Sequence, residues 1–348
     1  MLPMRLFLSN RYGKERRSRI SGTNMINWGI LGCGAIAGKF ADALQVIPDA
    51  QLYAVASQSE TRARNFGEKH SAVKWHVGYD ALAADPGVDV VYVASPHTFH
   101  KAHTIMCLNG GKHVLCEKPI AINQKEAGEM VAVARAKKLF LMEAMWTRFL
   151  PVICKVRELL VGGAIGDIRM MTADFGFRAK FDPRSRLFDP LLGGGSLLDV
   201  GVYAVALAFM VYKRNPCALV GAASVGSTGV DEQSAAILRY DRGEMALLSS
   251  AISAATANEA KIFGTAGSIR IPQFWRAVTT TVSAGTTKDI SIPFRANGYE
   301  YEAEEVMRCI KEGKIESEIM PLSESLNVMA TMDVIRAQWG LVYPTEKV

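Results

Sequence analysis

Apolar and polar positions divide the chain into two textures. Between residues 26 and 142, short runs rich in Val, Ile and Leu at 26–31, 51–56, 88–94, 113–116 and 140–142 read as buried strands. Amphipathic stretches with helical spacing separate them, at 35–46, 60–70, 99–109 and 124–137. Strand and helix in alternation imply βαβ units, hence a parallel sheet with helices on both faces. Beyond Trp146 a helix is expected at 151–161, closed by Gly162-Gly163. Period-2 stretches follow at 168–177, 234–240, 244–253, 259–263, 278–282 and 289–293, divided by turns such as Asp241-Arg242-Gly243. Two more helices are expected at 299–312 and 323–339. The expected class is α/β, with a doubly wound domain over 25–146. An α+β domain with an open, mostly antiparallel sheet is expected over 147–348, its last helix returning to the first domain.

Composition sharpens this only at the N-terminus. The chain has 348 residues and a formal charge of +6. Residues 1–24 hold Arg5, Arg11, Lys14, Arg16, Arg17 and Arg19 against Glu15 alone, so about +1 is left for the rest. Nucleic-acid binding is therefore not expected. The apolar start is broken at Arg5, which excludes a secretory core; the basic segment reads as a targeting peptide or, preferably, a disordered extension ahead of Met25. The longest strong apolar run, 203–212, has ten residues, short of a bilayer span. The six cysteines are dispersed, which fits reduced thiols and a cytoplasmic protein. His97 and His103 have no partner at ligand spacing, so no metal is expected.

The strand at 26–31 runs into Gly32-Cys33-Gly34-Ala35-Ile36-Ala37-Gly38, a G-x-G-x-x-A turn opening a helix. Gly32 permits the tight turn, Gly34 lets a pyrophosphate approach the backbone, and Ala37 lets helix and strand pack closely. The helix N-terminus offers free N–H groups to the anion. This is the fingerprint of a Rossmann dinucleotide-binding domain. An NAD-binding fold carries Asp or Glu after its second strand; here Ser57, Gln58 and Ser59 stand there, with Glu60 and Arg62 beyond. Ser57, Ser59 and Arg62 suit a 2′-phosphate, so NADP(H) is favoured over NAD(H). Ser95, Pro96, His97 and His100 follow the strand at 88–94 and are expected along the cofactor edge of the sheet.

Several stretches together resemble the Gfo/Idh/MocA oxidoreductases, and within them the dihydrodiol dehydrogenase and D-xylose dehydrogenase-like branch. They are residues 29–34, Glu117-Lys118-Pro119, residues 143–149, residues 193–203 and residues 298–305. The resemblance implies that Lys118 is catalytic beside the nicotinamide, with Glu117 a ribose contact or a partner of the lysine and Pro119 following a cis bond. In many members the second catalytic signature reads G-G-G-x-x-x-D-x-G-x-H; here it ends in Tyr203, with Asp199 before it. Tyr203 is expected as acid/base and Lys118 as the holder of the substrate oxygen, with exchanged roles open; Asp199 orients the pair, binds a substrate hydroxyl or caps a helix. Neither Tyr, near 10, nor Lys, near 10.4, is a good base at neutral pH, and mutual charge effects with burial are expected to lower both. Trp146, Arg148, Phe149 and Trp275 are implied on the substrate side. The expected function is hydride transfer between NADP(H) and a sugar, polyol or cyclic diol, by a homo-oligomer joined through the second sheet, with no membrane partner. A transient-oxidation glycosidase holding NAD and a non-catalytic NADP-binding regulator are the rivals.

Overall fold

The computed structural model describes residues 25–347. Statements about the basic segment 1–24 therefore fall outside the described residues. The first unit contains β1 (Ile26–Leu31), α1 (Ala35–Leu44), β2 (Ala50–Ser57), α2 (Glu60–Lys69), β3 (Lys74–Val77), α3 (Tyr79–Ala84), β4 (Val90–Val93), α4 (His100–Asn109), β5 (His113–Glu117), α5 (Gln124–Lys137) and β6 (Leu141–Ala144). Its six strands lie in the order β3-β2-β1-β4-β5-β6, all parallel. The order reverses between β1 and β4, which opens a crevice outside the C-terminal ends of these strands. β4 is buried at every position, as a strand with helices on both faces requires. The sequence pattern missed β3 and α3. β3 is an edge strand whose Lys74, Trp75 and Val77 are exposed, so it lacks the apolar run of a buried strand.

The second unit begins with α6 (Pro151–Val161) and β7 (Ile168–Gly176), followed by α7 (Val202–Tyr212). Then come β8 (Ala218–Val225), β9 (Asp231–Arg239), β10 (Met245–Ala251), β11 (Glu259–Gly264), β12 (Ser268–Pro272), β13 (Thr279–Ala284) and β14 (Thr286–Ser291). Two helices, α8 (Glu300–Lys311) and α9 (Leu322–Ala337), complete it. Its eight strands run β14-β13-β12-β11-β7-β10-β9-β8, antiparallel except for the β7–β10 pair. The pattern missed β8 and β12; β8 is an edge strand of small residues interrupted by Gly221. Every residue of α7 is buried, the mark of a helix apolar on all sides and enclosed by the fold. Helical structure from Pro190 to Tyr212 is long and apolar enough to span a bilayer, beyond the ten-residue run read from sequence, but its most apolar part is buried inside the protein and only its start, at Leu191, reaches the surface. α9 packs on α5, and the N–H of Gln124 donates to Asp333 at 2.8 Å. α8 packs on α1 and on the segment Trp146–Phe149. The two units thus share an interface lined by the ends of the parallel strands.

Candidate active site

The glycine turn has the shape its spacing implies. Gly32 sits at φ +97°, and a Cβ there would come within 2.8 Å of the Ala94 carbonyl. Among the described residues a Cβ on Gly34 would meet nothing within 4 Å and no side chain caps α1, which leaves an open cradle over the start of that helix. These features fit a dinucleotide pyrophosphate on the free N–H groups. Cys33 lies half-buried in the turn, and burial pushes its thiol up to about 11, with the Arg62 charge opposing. Arg62 is thus close to the cradle and exposed to solvent. The Ser59 hydroxyl accepts from the Arg62 N–H at 3.4 Å as the cap of α2, and Ser57, buried at the end of β2, accepts from the Ser59 N–H at 3.3 Å.

The candidate reacting cluster forms where β5 ends against the helix that follows the Gly193-Gly194-Gly195 turn. The Lys118–Pro119 bond is cis. Lys118 Nζ donates to the Asp199 carbonyl at 2.7 Å, stands 3.6 Å from Asp199 Oδ1 and lies 4.9 Å from the centre of the Tyr203 ring. Asp199 sits in a widened π-helical turn, Leu197–Gly201, that leads into α7. Such turns recur at functional sites. Arg186 Nη1 donates to Asp199 Oδ1 at 2.7 Å from a side chain that is half-exposed. Lys118 and Arg186 hold the Asp199 carboxyl well below the usual range, overcoming the effect of burial. Asp199 is therefore ionised at working pH and serves as a fixed counter-charge.

Tyr203 departs from the sequence expectation. Burial raises its hydroxyl well above 10, the Glu117 charge adds to this, and only the Trp146 hydrogen bond opposes. The chain's own groups therefore keep a neutral phenol, because loss of solvation and the Glu117 charge outweigh the Trp146 hydrogen bond. Trp146 Nε1 donates to the Tyr203 oxygen at 3.1 Å, and an indole N–H can only donate. The tyrosine's own O–H is left free for another acceptor. Trp146 stacks on Tyr299 at 4.3 Å, while Phe175 lies 5.6 Å from Tyr203 and stacks on Trp275 at 3.9 Å. An aromatic wall therefore surrounds the phenol, and Trp146 and Trp275 both belong to it.

Other predicted residues fall elsewhere. Arg148 is a correction: its guanidinium pairs with Glu324 on α9 and donates to the Ile319 and Ala206 carbonyls, so it ties helices together. Burial lowers it to about 9, which explains why it recruits so many partners. Phe149 packs in the core. His100 is fully buried with ring nitrogens 2.8 Å from the Pro119 and Ser95 carbonyls, so its ring ties together the loops that follow β4 and β5. The Ser95 hydroxyl is paired with His103 at 2.9 Å, Pro96 is exposed, and His97 Nδ1 donates to the Gly193 carbonyl at 2.9 Å. Burial brings His97 down to about 3, so it is neutral. Glu117 is buried, receives the Tyr92 hydroxyl and the Lys118 N–H, and is raised by burial against the Lys118 charge.

Sequence reasoning missed Arg186, Phe175, Tyr299 and Glu302. Glu302 is completely buried, neither carboxyl oxygen has a hydrogen-bond partner among the described residues, and burial with the Glu117 charge raises it far above its ordinary value. The only available signal was its place in the Tyr299-Glu300-Tyr301-Glu302 stretch, where two acids face inward from a helix start.

Comparison with known proteins agrees with this arrangement. Residues 26–145 match the model of an oxidoreductase family with an NAD-binding Rossmann fold, and residues 153–270 match the GFO/IDH/MocA C-terminal domain. The trans-1,2-dihydrobenzene-1,2-diol dehydrogenase of Xenopus tropicalis is 39% identical over 91% of this chain and 99% of that protein. The Homo sapiens protein of the same name is 36% identical over 92% and 99%. A 3-ketoreductase of Actinomadura kijaniata, KijD10, solved with NADP and TDP-benzene, has a TM-score of 0.82 at 26% identity and covers 90% of this chain and 97% of its own. The glycine cradle, the Lys118–Asp199–Tyr203 cluster, the two matched domains and the near full-length relatives agree: the chain belongs to the Gfo/Idh/MocA oxidoreductases.

Proposed function

We propose that the protein is an NADP(H)-dependent dehydrogenase/reductase acting on a hydroxyl or carbonyl of a sugar, polyol or cyclic diol. The observation that carries this is the meeting of Lys118, Asp199 and a free Tyr203 hydroxyl at the end of β5, beside a dinucleotide cradle. A nicotinamide bound there supplies or accepts the hydride. In reduction, Tyr203 gives its proton to the carbonyl oxygen while Lys118 holds that oxygen and stabilises developing negative charge. In oxidation the same oxygen returns its proton to an ionised Tyr203, a form that the positive charge of the oxidised nicotinamide would have to favour, since the chain's own groups keep the phenol neutral. Asp199, neutralised on one side by Arg186, fixes the lysine. Trp146, Phe175 and Trp275 give the substrate an apolar wall, which suits a ring face.

Ser57, Ser59 and Arg62 support NADP(H), as does the NADP bound to the Actinomadura relative. The relatives named above are oxidoreductases, which leaves the glycosidase and regulator readings without support. The outer face of the second sheet exposes Met170, Val220, Ile237 and Leu247, and a hollow of about 550 Å³ opens over the last three. We assign this face to a second copy of the chain. Six unpaired cysteines suit the cytoplasm. The test is absorbance at 340 nm with NADP⁺ or NAD⁺ and a panel of trans-dihydrodiols, pentoses and anhydrosugars. Substrate-dependent NADPH formation is expected. Hydrolysis without net NADPH, or no turnover with any member of the panel, refutes the reading.

A further inference from the structure

The Gly193-Gly194-Gly195-Ser196 turn that precedes the catalytic helix is held from several directions. His97 takes the Gly193 carbonyl at 2.9 Å, the Tyr343 hydroxyl takes that of Gly194 at 2.7 Å, and the Asp199 N–H takes that of Gly195 at 3.2 Å. Asp231, the first residue of β9, completes the clamp. Its Oδ2 accepts both the Ser196 hydroxyl and the Leu197 N–H, each at 2.7 Å. The Ser196 hydroxyl also lies 3.0 Å from that of Ser250, itself 2.9 Å from the Ser234 hydroxyl. Asp231 is 1% exposed, and its second oxygen has no hydrogen-bond partner among the described residues. Gly195, at φ +113°, passes so close that a Cβ would fall 2.3 Å from that oxygen.

A buried carboxylate with an unpaired oxygen is a poor choice for stability alone. Its location supplies another reason. It places a negative charge on the first N–H groups of the helical run from Leu197 to Tyr212, where an anion is favoured by the free donors and the helix dipole. Asp199, whose carbonyl holds Lys118, lies two residues beyond Leu197, and Tyr203 lies six beyond. Where this run begins therefore decides where both reacting groups stand.

We propose that Asp231 is a positioning residue for the reaction: its carboxylate pins the start of the catalytic helix, and loss of its charge lowers turnover without releasing the coenzyme. Burial pushes Asp231 up to about 6, against the hydrogen bonds from Ser196 and Leu197. The groups facing it are the Ser196, Ser234 and Ser250 hydroxyls and the Tyr343 phenol, with Arg336 and Glu346 behind that phenol. Because the folded value lies above the ordinary one near 3.9, the fold loses stability as pH rises through this window, while the ionised form is the one that positions the helix. Activity and stability should therefore move in opposite directions, which a purely structural hydrogen bond would not produce.

The test uses the full chain with NADP⁺ and trans-1,2-dihydrobenzene-1,2-diol from pH 5 to 8, and rests on the proposed dehydrogenase activity, which wild-type turnover checks first. Wild-type kcat should fall below about pH 6. Asp231→Asn should lower kcat about tenfold or more, flatten that limb, leave KM for NADP⁺ within about twofold and keep or raise Tm. Ser196→Ala, which removes one donor to the carboxylate, should move the limb to higher pH. Hydrogen exchange over residues 193–203 reads the same event without turnover and should quicken in Asp231→Asn. A variant with wild-type kcat and an unmoved limb, or with unchanged exchange in that segment, overturns the proposal.

Discussion

Replacing Tyr203 with Phe removes one oxygen from the centre of the cluster and little else. The ring keeps its place 5.6 Å from Phe175 and 4.9 Å from Lys118 Nζ, and no Asp199 contact involves the hydroxyl. Two terms change. The reaction loses its proton donor, a loss of about 10²–10⁴ in kcat for general acid–base catalysis, or about 3–5 kcal/mol of barrier. Trp146 Nε1 also loses its acceptor at 3.1 Å, and a buried donor left unpaired costs about 1–3 kcal/mol of stability. The first term appears in kcat and the second in Tm, so one variant reports both. KM for NADP⁺ should stay within about twofold, because the cradle lies on the other unit. NADPH formation at 340 nm, with a thermal melt, measures these quantities. Trp146→Phe is the control: it removes the indole donor but keeps the phenol, and should lose less than about tenfold in kcat. If Tyr203→Phe turns over within about threefold of wild type, the tyrosine is not the proton donor and the reasoning fails.

The remaining predictions concern the cofactor, the buried acids and the sheet. Arg62→Gln should raise KM for NADP⁺ about tenfold or more while leaving that for NAD⁺ nearly unchanged; equal effects on both would show that Arg62 does not meet the 2′-phosphate. Glu302 keeps its proton when folded, so the native state is penalised as pH rises above the ordinary carboxyl value near 4.3. Glu302→Gln should melt higher than wild type, by a margin that widens from pH 4 to 8; parallel melts would refute this. Asp199 is held low by Lys118 and Arg186, so its contribution is present above pH 4 and lost only in strong acid. Arg186→Gln should bring acid unfolding to a higher pH, by an amount that solvent screening keeps small, and an identical acid midpoint would exclude the pairing. Leu247→Asp should halve the mass measured by light scattering if the outer sheet face joins two copies, and an unchanged mass would remove that face from consideration.

The parallel sheet was legible in the chain's pattern alone, because buried strands and amphipathic helices of ordinary length announce their own period. The glycine cradle was legible too, because its requirement for small residues is local, and the family resemblance named Lys118, Asp199 and Tyr203, which the fold brings together. Edge elements escaped it: β3 and β8 bury too little to need an apolar run. Tertiary structure decided what each side chain meets. Arg148 left the site because a buried guanidinium found Glu324, while Arg186, unremarkable in an irregular basic loop, entered it by reaching Asp199. The direction of the Tyr203 shift was likewise beyond the sequence, since only the coordinates show that burial and the Glu117 charge act together on it. Backbone pattern is written in nearest neighbours along the chain; a site is written in neighbours some eighty residues apart, and only the packing of the two units brings those together.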